Sequence, residues 1–283
     1  MRVIDLINVS TQHLESRGFE NARLEVERML GDVLGLSRLG LYMAFERLVS
    51  DEERGCFRNL YRRRLAHEPL QHILGTSDFR EITLKVDHRA LIPRSETEML
   101  VEIAVDFLGK LAAPLVADLG TGSGVIAISI ACELPESRVI AVDISDEALM
   151  LAEENVRRFG LEDRVVCVAG NMLGSLGSHG PFDAIISNPP YVKSSDIPNL
   201  QPEVRDFDPY IALDGGEDGF RFLTEIVEDA HRFLRPGGLL LLECGDDQGE
   251  RVQTVLEKTN KYSAGEIVCD LAGKQRIIKA LRD

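Results

Sequence analysis

The chain has 283 residues and a net charge of −15, with 44% hydrophobic and 28% charged side chains, proportions that are usual for a globular protein. No apolar run approaches the roughly 20 residues that span a bilayer, and the first residues lack the apolar stretch of a secretory signal. The five cysteines are scattered and the histidines do not cluster, so the sequence predicts no metal site and a cytoplasmic location.

Residues 1–70 have the apolar spacing of helices and no good strand pattern. Apolar side chains recur three or four positions apart, at Leu24, Met29, Leu30, Val33 and Leu34 and later at Phe57, Leu60 and Leu65. Glycines interrupt the pattern at Gly18, Gly35 and Gly40. We therefore predict a small bundle of short helices, and we assign substrate recognition to this N-terminal domain.

The pattern changes near residue 71. Residues 72–75 and the alternating run at 82–86 predict the two strands of a β-hairpin. We assign residues 71–92 to a hairpin linker and residues 93–283 to a catalytic domain.

Residues 93–283 alternate apolar strands with amphipathic helices, which is typical of an α/β fold with a mainly parallel sheet. Strands are predicted at 115–119, 138–142, 165–168, 184–187, 239–243, 266–269 and 276–280. Helices are predicted at 96–109, 123–133, 146–159, 218–234 and 247–259.

A glycine-rich loop at residues 118–124, with the sequence DLGTGSG, joins the first of these strands to a helix. Glycines let a backbone turn sharply and approach a ligand closely, at the strand end where α/β sheets bind ligands. No G-K-[ST] follows, so the loop is not a P-loop. A tight strand–helix turn without a ligand would give the same pattern.

Asp143 ends the next predicted strand, 23 residues after Gly120. An acidic residue at this place in nucleoside-binding folds accepts hydrogen bonds from ribose hydroxyls. The simpler alternative is an aspartate that caps the following helix. Together, the loop and Asp143 favour a ribose-bearing cofactor and leave NAD and S-adenosylmethionine both open.

The tetrapeptide Asn188-Pro189-Pro190-Tyr191 directly follows an apolar strand and separates these two cofactors. Two prolines remove two donors, so the Asn188 side-chain oxygen and the Pro189 carbonyl remain to accept the two hydrogens of a substrate –NH2 group. Tyr191 could pack on the planar group. Holding both hydrogens directs the nitrogen lone pair at a sulfonium methyl, so positioning supplies the rate without a strong base. We predict methyl transfer to a planar amide nitrogen.

With these residues in place, the chain resembles the release-factor glutamine methyltransferases (the PrmC or HemK family) over nearly its full length. Further similar segments are residues 91–98 (LIPRSETE), 212–219, 234–238 and 270–276. The resemblance implies S-adenosylmethionine-dependent N5-methylation of the glutamine in the Gly-Gly-Gln motif of peptide chain release factors. It also implies a Rossmann-like, seven-stranded methyltransferase sheet with an antiparallel last strand, behind the small helical N-terminal domain.

The resemblance also implies roles for individual residues. The cofactor would contact Gly120, Thr121, Gly122, Ser123, Gly124, Asp143, Asn171, Met172 and Asn188. Asn188, Pro189 and Tyr191 would be catalytic, and residues 188–191 would hold the glutamine amide. The sequence departs from the family pattern at the adenine end, where neutral Asn171 replaces an acidic residue, and at Ser95, which replaces a proline of the linker signature.

The nearest rival function is N6-adenine or N4-cytosine methylation of DNA, because a base amine meets the same two acceptors. Such an enzyme needs a basic surface. Residues 1–70 hold 11 basic and 11 acidic side chains, so the whole charge of −15 falls on residues 71–283. We therefore expect release factors as partners, with no nucleic acid or membrane, and a monomer.

Two further interpretations concern binding without catalysis. A nucleotide-binding regulatory module would share the fold, but it would not need the acceptor pair. The basic run Arg62-Arg63-Arg64 is more typical of a solvated helix face than of a partner-binding site.

Overall fold

The computed structural model describes residues 1–177, 179–263 and 265–283, and the chain divides into two compact units, Met1–Gly75 and Thr76–Asp283. The first unit extends five residues beyond the predicted boundary at residue 70. Its last helix explains the difference, since Leu70 is buried in the core of that unit.

The first unit is a helical bundle, as the sequence predicts. Its helices are α1 (Val3–Ser16), α2 (Ala22–Leu34), α3 (Arg38–Met43), α4 (Asp51–Leu65) and α5 (Leu70–Leu74). Helix α4 begins with a capping box, in which the Ser50 hydroxyl accepts from the Glu53 N–H and the Glu53 carboxylate accepts from the Ser50 N–H. This motif satisfies two donors that the helix itself leaves unpaired.

The basic run at the end of α4 is not a uniformly solvated face. Arg64 is 3% exposed, pairs with Glu25 at 2.7 Å and lies over the ring of Phe19. Arg63 pairs with Glu68 at 2.6 Å. Both arginines therefore stabilise the bundle, and the interpretation of a solvated face is wrong for Arg64.

The β-hairpin begins later than predicted. Residues Leu70–Leu74 form α5, and Gly75 ends it with a left-handed φ of 73°. The hairpin consists of β1 (Thr76–Phe79) and β2 (Ile82–Lys85), which pair antiparallel. The predicted strand at 72–75 is wrong because a short apolar run fits a helix or a strand equally well.

The second unit contains a seven-stranded sheet in the order β5-β4-β3-β6-β7-β9-β8. Its strands are β3 (Leu115–Leu119), β4 (Arg138–Asp143), β5 (Val165–Ala169), β6 (Phe182–Ser187), β7 (Leu234–Glu243), β8 (Glu266–Cys269) and β9 (Gln275–Leu281). The last strand, β9, is antiparallel to β7 and to β8. The seven-stranded α/β sheet with an antiparallel last strand is confirmed.

Helices cover both faces of this sheet. They are α6 (Ser95–Leu108), α7 (Val125–Glu133), α8 (Asp146–Arg158), α9 (Pro202–Arg205), α10 (Tyr210–Leu213), α11 (Arg221–Asp229) and α12 (Gly249–Thr259), with 3-10 turns at Met172–Ser175, Ile197–Asn199 and Ala230–Arg232. Across the described ranges, none of the helices has the length and apolarity needed to cross a membrane.

The strand order places the site. Strands β3 and β6 are parallel neighbours, with Leu119 opposite Ser187, although β4 and β5 come between them in the chain. The sheet therefore changes its winding direction between β3 and β6, and α/β sheets bind ligands at such a point. The glycine-rich loop leaves β3 and the Asn-Pro-Pro-Tyr segment leaves β6, so both meet at this crevice.

Candidate active site

A cavity of about 430 Å³ lies at the carboxyl ends of these strands, within the second unit. Most of the predicted site residues line it, namely Gly120, Thr121, Gly122, Ser123, Asp143, Asn171, Met172, Asn188 and Pro190. Three predicted residues, Gly124, Pro189 and Tyr191, are absent from this described wall. The structure thus brings together predicted residues that are up to 70 positions apart, from Gly120 to Pro190.

The glycine-rich loop is fixed by its backbone conformation. Gly120, Gly122 and Gly124 have φ values of 69°, 57° and 85°, which side chains other than glycine rarely adopt. Gly124 also permits helix packing, since a Cβ there would lie 3.0 Å from the Ile128 Cδ1 atom and 3.4 Å from the Ala152 Cβ atom. This explains why Gly124 is needed although it does not line the cavity.

A buried carboxyl group supports the loop from beneath. Asp118 is fully buried, and its Oδ2 atom accepts from the Thr121 hydroxyl at 2.6 Å and from the Ala127 N–H at 3.2 Å. Burial raises the pKa of Asp118 to about 7. Asp118 therefore joins the end of β3 to both the loop and the first turn of α7.

Asp143 links the glycine-rich loop to the residue that caps α8, whereas the cap itself is Ser145, so the helix-capping alternative for Asp143 is wrong. Its Oδ2 atom accepts from the Gly122 N–H at 2.9 Å, and its Oδ1 atom accepts from the Ser145 N–H at 2.9 Å. Burial raises the pKa of Asp143. Each carboxylate oxygen has about two lone pairs, so both oxygens retain capacity for a ligand hydroxyl.

The predicted adenine end of the cavity is apolar. Met172 is buried with a positive φ of 45°, and Asn171 before it is exposed. Ile144 also lines the cavity while its side chain is 55% exposed. Sequence analysis missed Ile144, although an apolar residue directly after a strand-end aspartate was a usable signal.

The Asn188 side chain is held by a hydrogen-bond network that the sequence did not reveal. The Asn188 Nδ2 atom donates to the Thr97 hydroxyl at 3.2 Å, and that hydroxyl donates to the Glu243 Oε2 atom at 2.7 Å. The Tyr191 hydroxyl donates to the Glu243 Oε1 atom at 3.4 Å. Two features of the sequence could have pointed to this network. Thr97 lies within the linker signature, and Glu243 is a charged residue at the end of an apolar strand.

Tyr191 does not form part of the described cavity wall. Its ring packs against the apolar core on one face of the sheet, and its hydroxyl meets Glu243. Burial raises the pKa of the Tyr191 hydroxyl well above its usual range. Tyr191 thus lies outside the described cavity wall, with its ring against the core. This differs from the expectation that the ring packs on the planar group of the substrate.

The backbone after Tyr191 passes very close to a glycine. A Cβ atom on Gly219 would lie 2.5 Å from the Tyr191 carbonyl oxygen, and Gly219 has a φ of 76°. The Gln248 side chain donates to that same carbonyl at 3.0 Å. The position of the tetrapeptide therefore depends on glycine at position 219.

We expect Gly219→Ala to destabilise the protein by about 1–3 kcal/mol and to lower catalytic turnover, because alanine is strained there and displaces the Tyr191 carbonyl. Thermal unfolding and steady-state assays measure the two effects. Gly237→Ala is the matched control, since Gly237 has a φ of 72° but open space around its Cβ position. Equal turnover in the two variants would contradict this role for Gly219.

The linker signature is tied to the loop that follows the tetrapeptide. Arg94 pairs with Asp208 at 2.5 Å, and the Asp208 carboxylate also accepts from the Ile92 N–H at 3.4 Å. Burial raises the pKa of Asp208 to about 6, against the opposing effect of the Arg94 guanidinium. Because residues 91–94 and 209–212 both line the cavity, this ion pair holds two of its walls together.

Several solved structures of methyltransferases share this fold. The catalytic domain of hMettl16, solved with an RNA hairpin, has a TM-score of 0.58 at 16% identity and covers 75% of this chain and 79% of its own. A methyltransferase from Pyrococcus furiosus has a TM-score of 0.51 at 19% identity and covers 82% and 98%. At such identities the likeness concerns the fold alone.

Family models match both units of the chain. The model described as the PrmC N-terminal domain matches residues 5–75, and the model described as the methyltransferase small domain matches residues 97–201. The first match ends at the last residue of the helical unit. The second contains the glycine-rich loop, Asp143 and the tetrapeptide.

Several relatives match over most of both sequences. A release factor glutamine methyltransferase of Gloeobacter violaceus is 42% identical, covering 93% of this chain and 92% of the relative. Proteins of the same name from Geobacter sulfurreducens and Moorella thermoacetica are 44% and 38% identical, covering 87% and 100% of this chain and 85% and 99% of the relatives. The chain belongs to the release factor glutamine methyltransferase family.

Proposed function

We propose that this methyltransferase transfers a methyl group from S-adenosylmethionine to the side-chain amide nitrogen of the glutamine in the Gly-Gly-Gln motif of peptide chain release factors. The observation that carries the proposal is the held amide of Asn188 at the cavity wall. Its nitrogen is occupied by Thr97, so its oxygen remains to accept from a substrate –NH2 group. The names of the relatives, release factor glutamine methyltransferase, support the proposed identity of the substrate.

S-adenosylmethionine fits the residues that line the cavity. Asp143 offers a carboxylate for the ribose hydroxyls, the apolar Ile144 and Met172 would contact the adenine, and the turn at residues 120–123 leaves room for the methionine part. The T. thermophilus 16S rRNA methyltransferase RsmC has a TM-score of 0.53 to this chain. Its structure was solved in complex with AdoMet and guanosine. When bound, the cofactor supplies an electrophilic sulfonium methyl.

The protein's own contribution is to orient the amide. The Asn188 side-chain oxygen would accept one hydrogen of the glutamine –NH2 group. The Pro189 carbonyl is proposed to accept the other, although Pro189 is absent from the described cavity wall. The nitrogen lone pair would then face the sulfonium methyl. On methylation the amide nitrogen would lose one proton to solvent, and no strong base would be required.

The helical unit Met1–Gly75 is proposed to recognise the release factor. Its match to the PrmC N-terminal domain supports this role. The five cysteines are free, which supports a reducing compartment and hence the cytoplasm.

A labelling experiment tests the proposal. Purified protein, S-adenosylmethionine with a labelled methyl group and a bacterial release factor should give a labelled release factor. Replacing the glutamine of the Gly-Gly-Gln motif should abolish the label. If duplex DNA accepts the label and the release factor does not, the proposed substrate is wrong and the DNA-methylating alternative is favoured.

A further inference from the structure

We propose that Thr97 and Glu243 are positioning residues, which together fix the Asn188 side chain with its oxygen directed at the cavity. This inference rests on the proposed function, because it explains how the acceptor for the glutamine amide is oriented. Neither residue is required to touch the substrate or the cofactor; both act through Asn188.

The hydrogen bonds from Asn188 to Thr97 and from Thr97 to Glu243 form a relay. The sheet register brings its two ends, Asn188 and Glu243, together. Ser187 on β6 lies opposite Leu242 on β7, so Asn188, directly after β6, lies beside Glu243, the last residue of β7. Helix α6 packs against both strands and carries Thr97 in its first turn. Thr97 is 2% exposed and Glu243 is 1% exposed, so water does not compete for these hydrogen bonds.

The chemistry of the donors sets the direction of the relay. An ionised carboxylate only accepts hydrogen bonds, so the Thr97 hydroxyl must donate its single hydrogen to Glu243. The lone pairs of the hydroxyl then accept from the –NH2 end of Asn188. The Asn188 oxygen is consequently directed away from Thr97, where a substrate –NH2 group needs an acceptor.

The relay is needed because an asparagine amide has little orientational preference of its own. Its terminal torsion is broad and roughly two-fold, so a half-turn that exchanges oxygen and nitrogen costs little. A reversed amide would present its own –NH2 to the –NH2 of the substrate, and no hydrogen bond would form. One buried carboxylate also holds the Tyr191 hydroxyl, so Glu243 orders both ends of the tetrapeptide.

The charge state of Glu243 makes the relay sensitive to pH. Burial and the nearby Glu96 carboxylate raise the pKa of Glu243 to about 7, while the Thr97 and Tyr191 hydroxyls and the Arg276 guanidinium lower it. Below that pKa, a protonated Glu243 could donate to Thr97 and reverse the relay. Turnover should therefore fall as the pH decreases through about 7, since the ionised form prevails only above it.

The test uses two substitutions of similar size at one position. Thr97→Val removes the hydroxyl and should lower kcat roughly tenfold, with an unchanged cofactor Kd, because one orienting hydrogen bond is lost. Thr97→Ser keeps the hydroxyl and should retain most of kcat. If Thr97→Val turns over like the wild type, or if Thr97→Ser loses as much activity as Thr97→Val in an equally stable protein, the relay is overturned.

A double-substitution cycle separates positioning from a general structural effect. In the Asn188→Ala background, Thr97→Val should cause little further loss, because the residue it orients is absent. A second full loss would show that Thr97 acts by another route. The Glu243→Gln variant should lose the fall in kcat near pH 7, and its persistence would exclude Glu243 as the titrating group.

A readout without substrate keeps the relay separate from the proposed function. In protein labelled with 15N-asparagine, the Asn188 side-chain –NH2 signal is identified by its loss in Asn188→Ala. Its hydrogens should exchange slowly with solvent in the wild type and in Thr97→Ser, and faster in Thr97→Val. A wild type that fails to label release factors but shows this pattern would refute the substrate and support the relay. Fast exchange in the wild type would refute the relay itself.

Discussion

Asn188→Ala is expected to lower kcat for release-factor methylation by about 100-fold or more, because loss of the acceptor leaves the amide nitrogen misplaced relative to the methyl group. Cofactor affinity should change little, since the alanine variant keeps the glycine-rich loop and the Asp143 carboxylate. Rapid-quench or steady-state kinetics give kcat, and isothermal titration with S-adenosylmethionine gives the Kd.

Asn171→Ala is the matched control for this substitution. It removes another asparagine from the same cavity, at the end assigned to adenine. We expect it to raise the cofactor Kd modestly and to leave kcat at saturating cofactor nearly unchanged. The assignment of Asn188 to the substrate would be contradicted if its alanine variant showed mainly a loss of cofactor affinity and normal saturated turnover.

Most of the fold could be predicted from local patterns of apolar residues in the sequence. The strands Leu115–Leu119 and Glu266–Cys269 have the predicted bounds, because a short run of apolar residues is typical of a strand. The prediction of the hairpin failed at residues 72–75, because four residues are too few to distinguish the periodicity of a helix from that of a strand. Gly75 has the left-handed φ that commonly ends a helix, and it was the neglected signal.

Only the part of the site that follows directly from local sequence patterns could be predicted. The glycine-rich loop, Asp143 and Asn188 each follow a strand, and ends of parallel strands meet at one edge of a sheet, so their convergence was predictable. Thr97 and Glu243 are 146 residues apart and meet only through the packing of α6 on β7. The turn of Tyr191 into the core likewise depends on Glu243, so no local pattern could reveal it.

Asp143→Ala is expected to raise the Kd for S-adenosylmethionine roughly 100-fold, since hydrogen bonds to a charged group contribute about 1.5–3 kcal/mol. The substitution removes the proposed acceptor of the ribose hydroxyls. It also frees the Gly122 and Ser145 N–H groups that the carboxylate now holds. The glycine-rich loop should therefore become less ordered, and both effects weaken cofactor binding in the same direction. Isothermal titration measures the Kd.

Asp146→Ala is a suitable control, because Asp146 is an exposed acid in the first turn of α8, three residues away. It removes the same charge without touching the loop, so the Kd should stay near the wild-type value. Asp143→Asn separates the two effects further, because the amide keeps one oxygen for a backbone N–H but loses the carboxylate's second acceptor. Its Kd should fall between those of Asp143→Ala and the wild type. A wild-type Kd in Asp143→Ala would remove Asp143 from the cofactor site and leave it only its contacts with the Gly122 and Ser145 N–H groups.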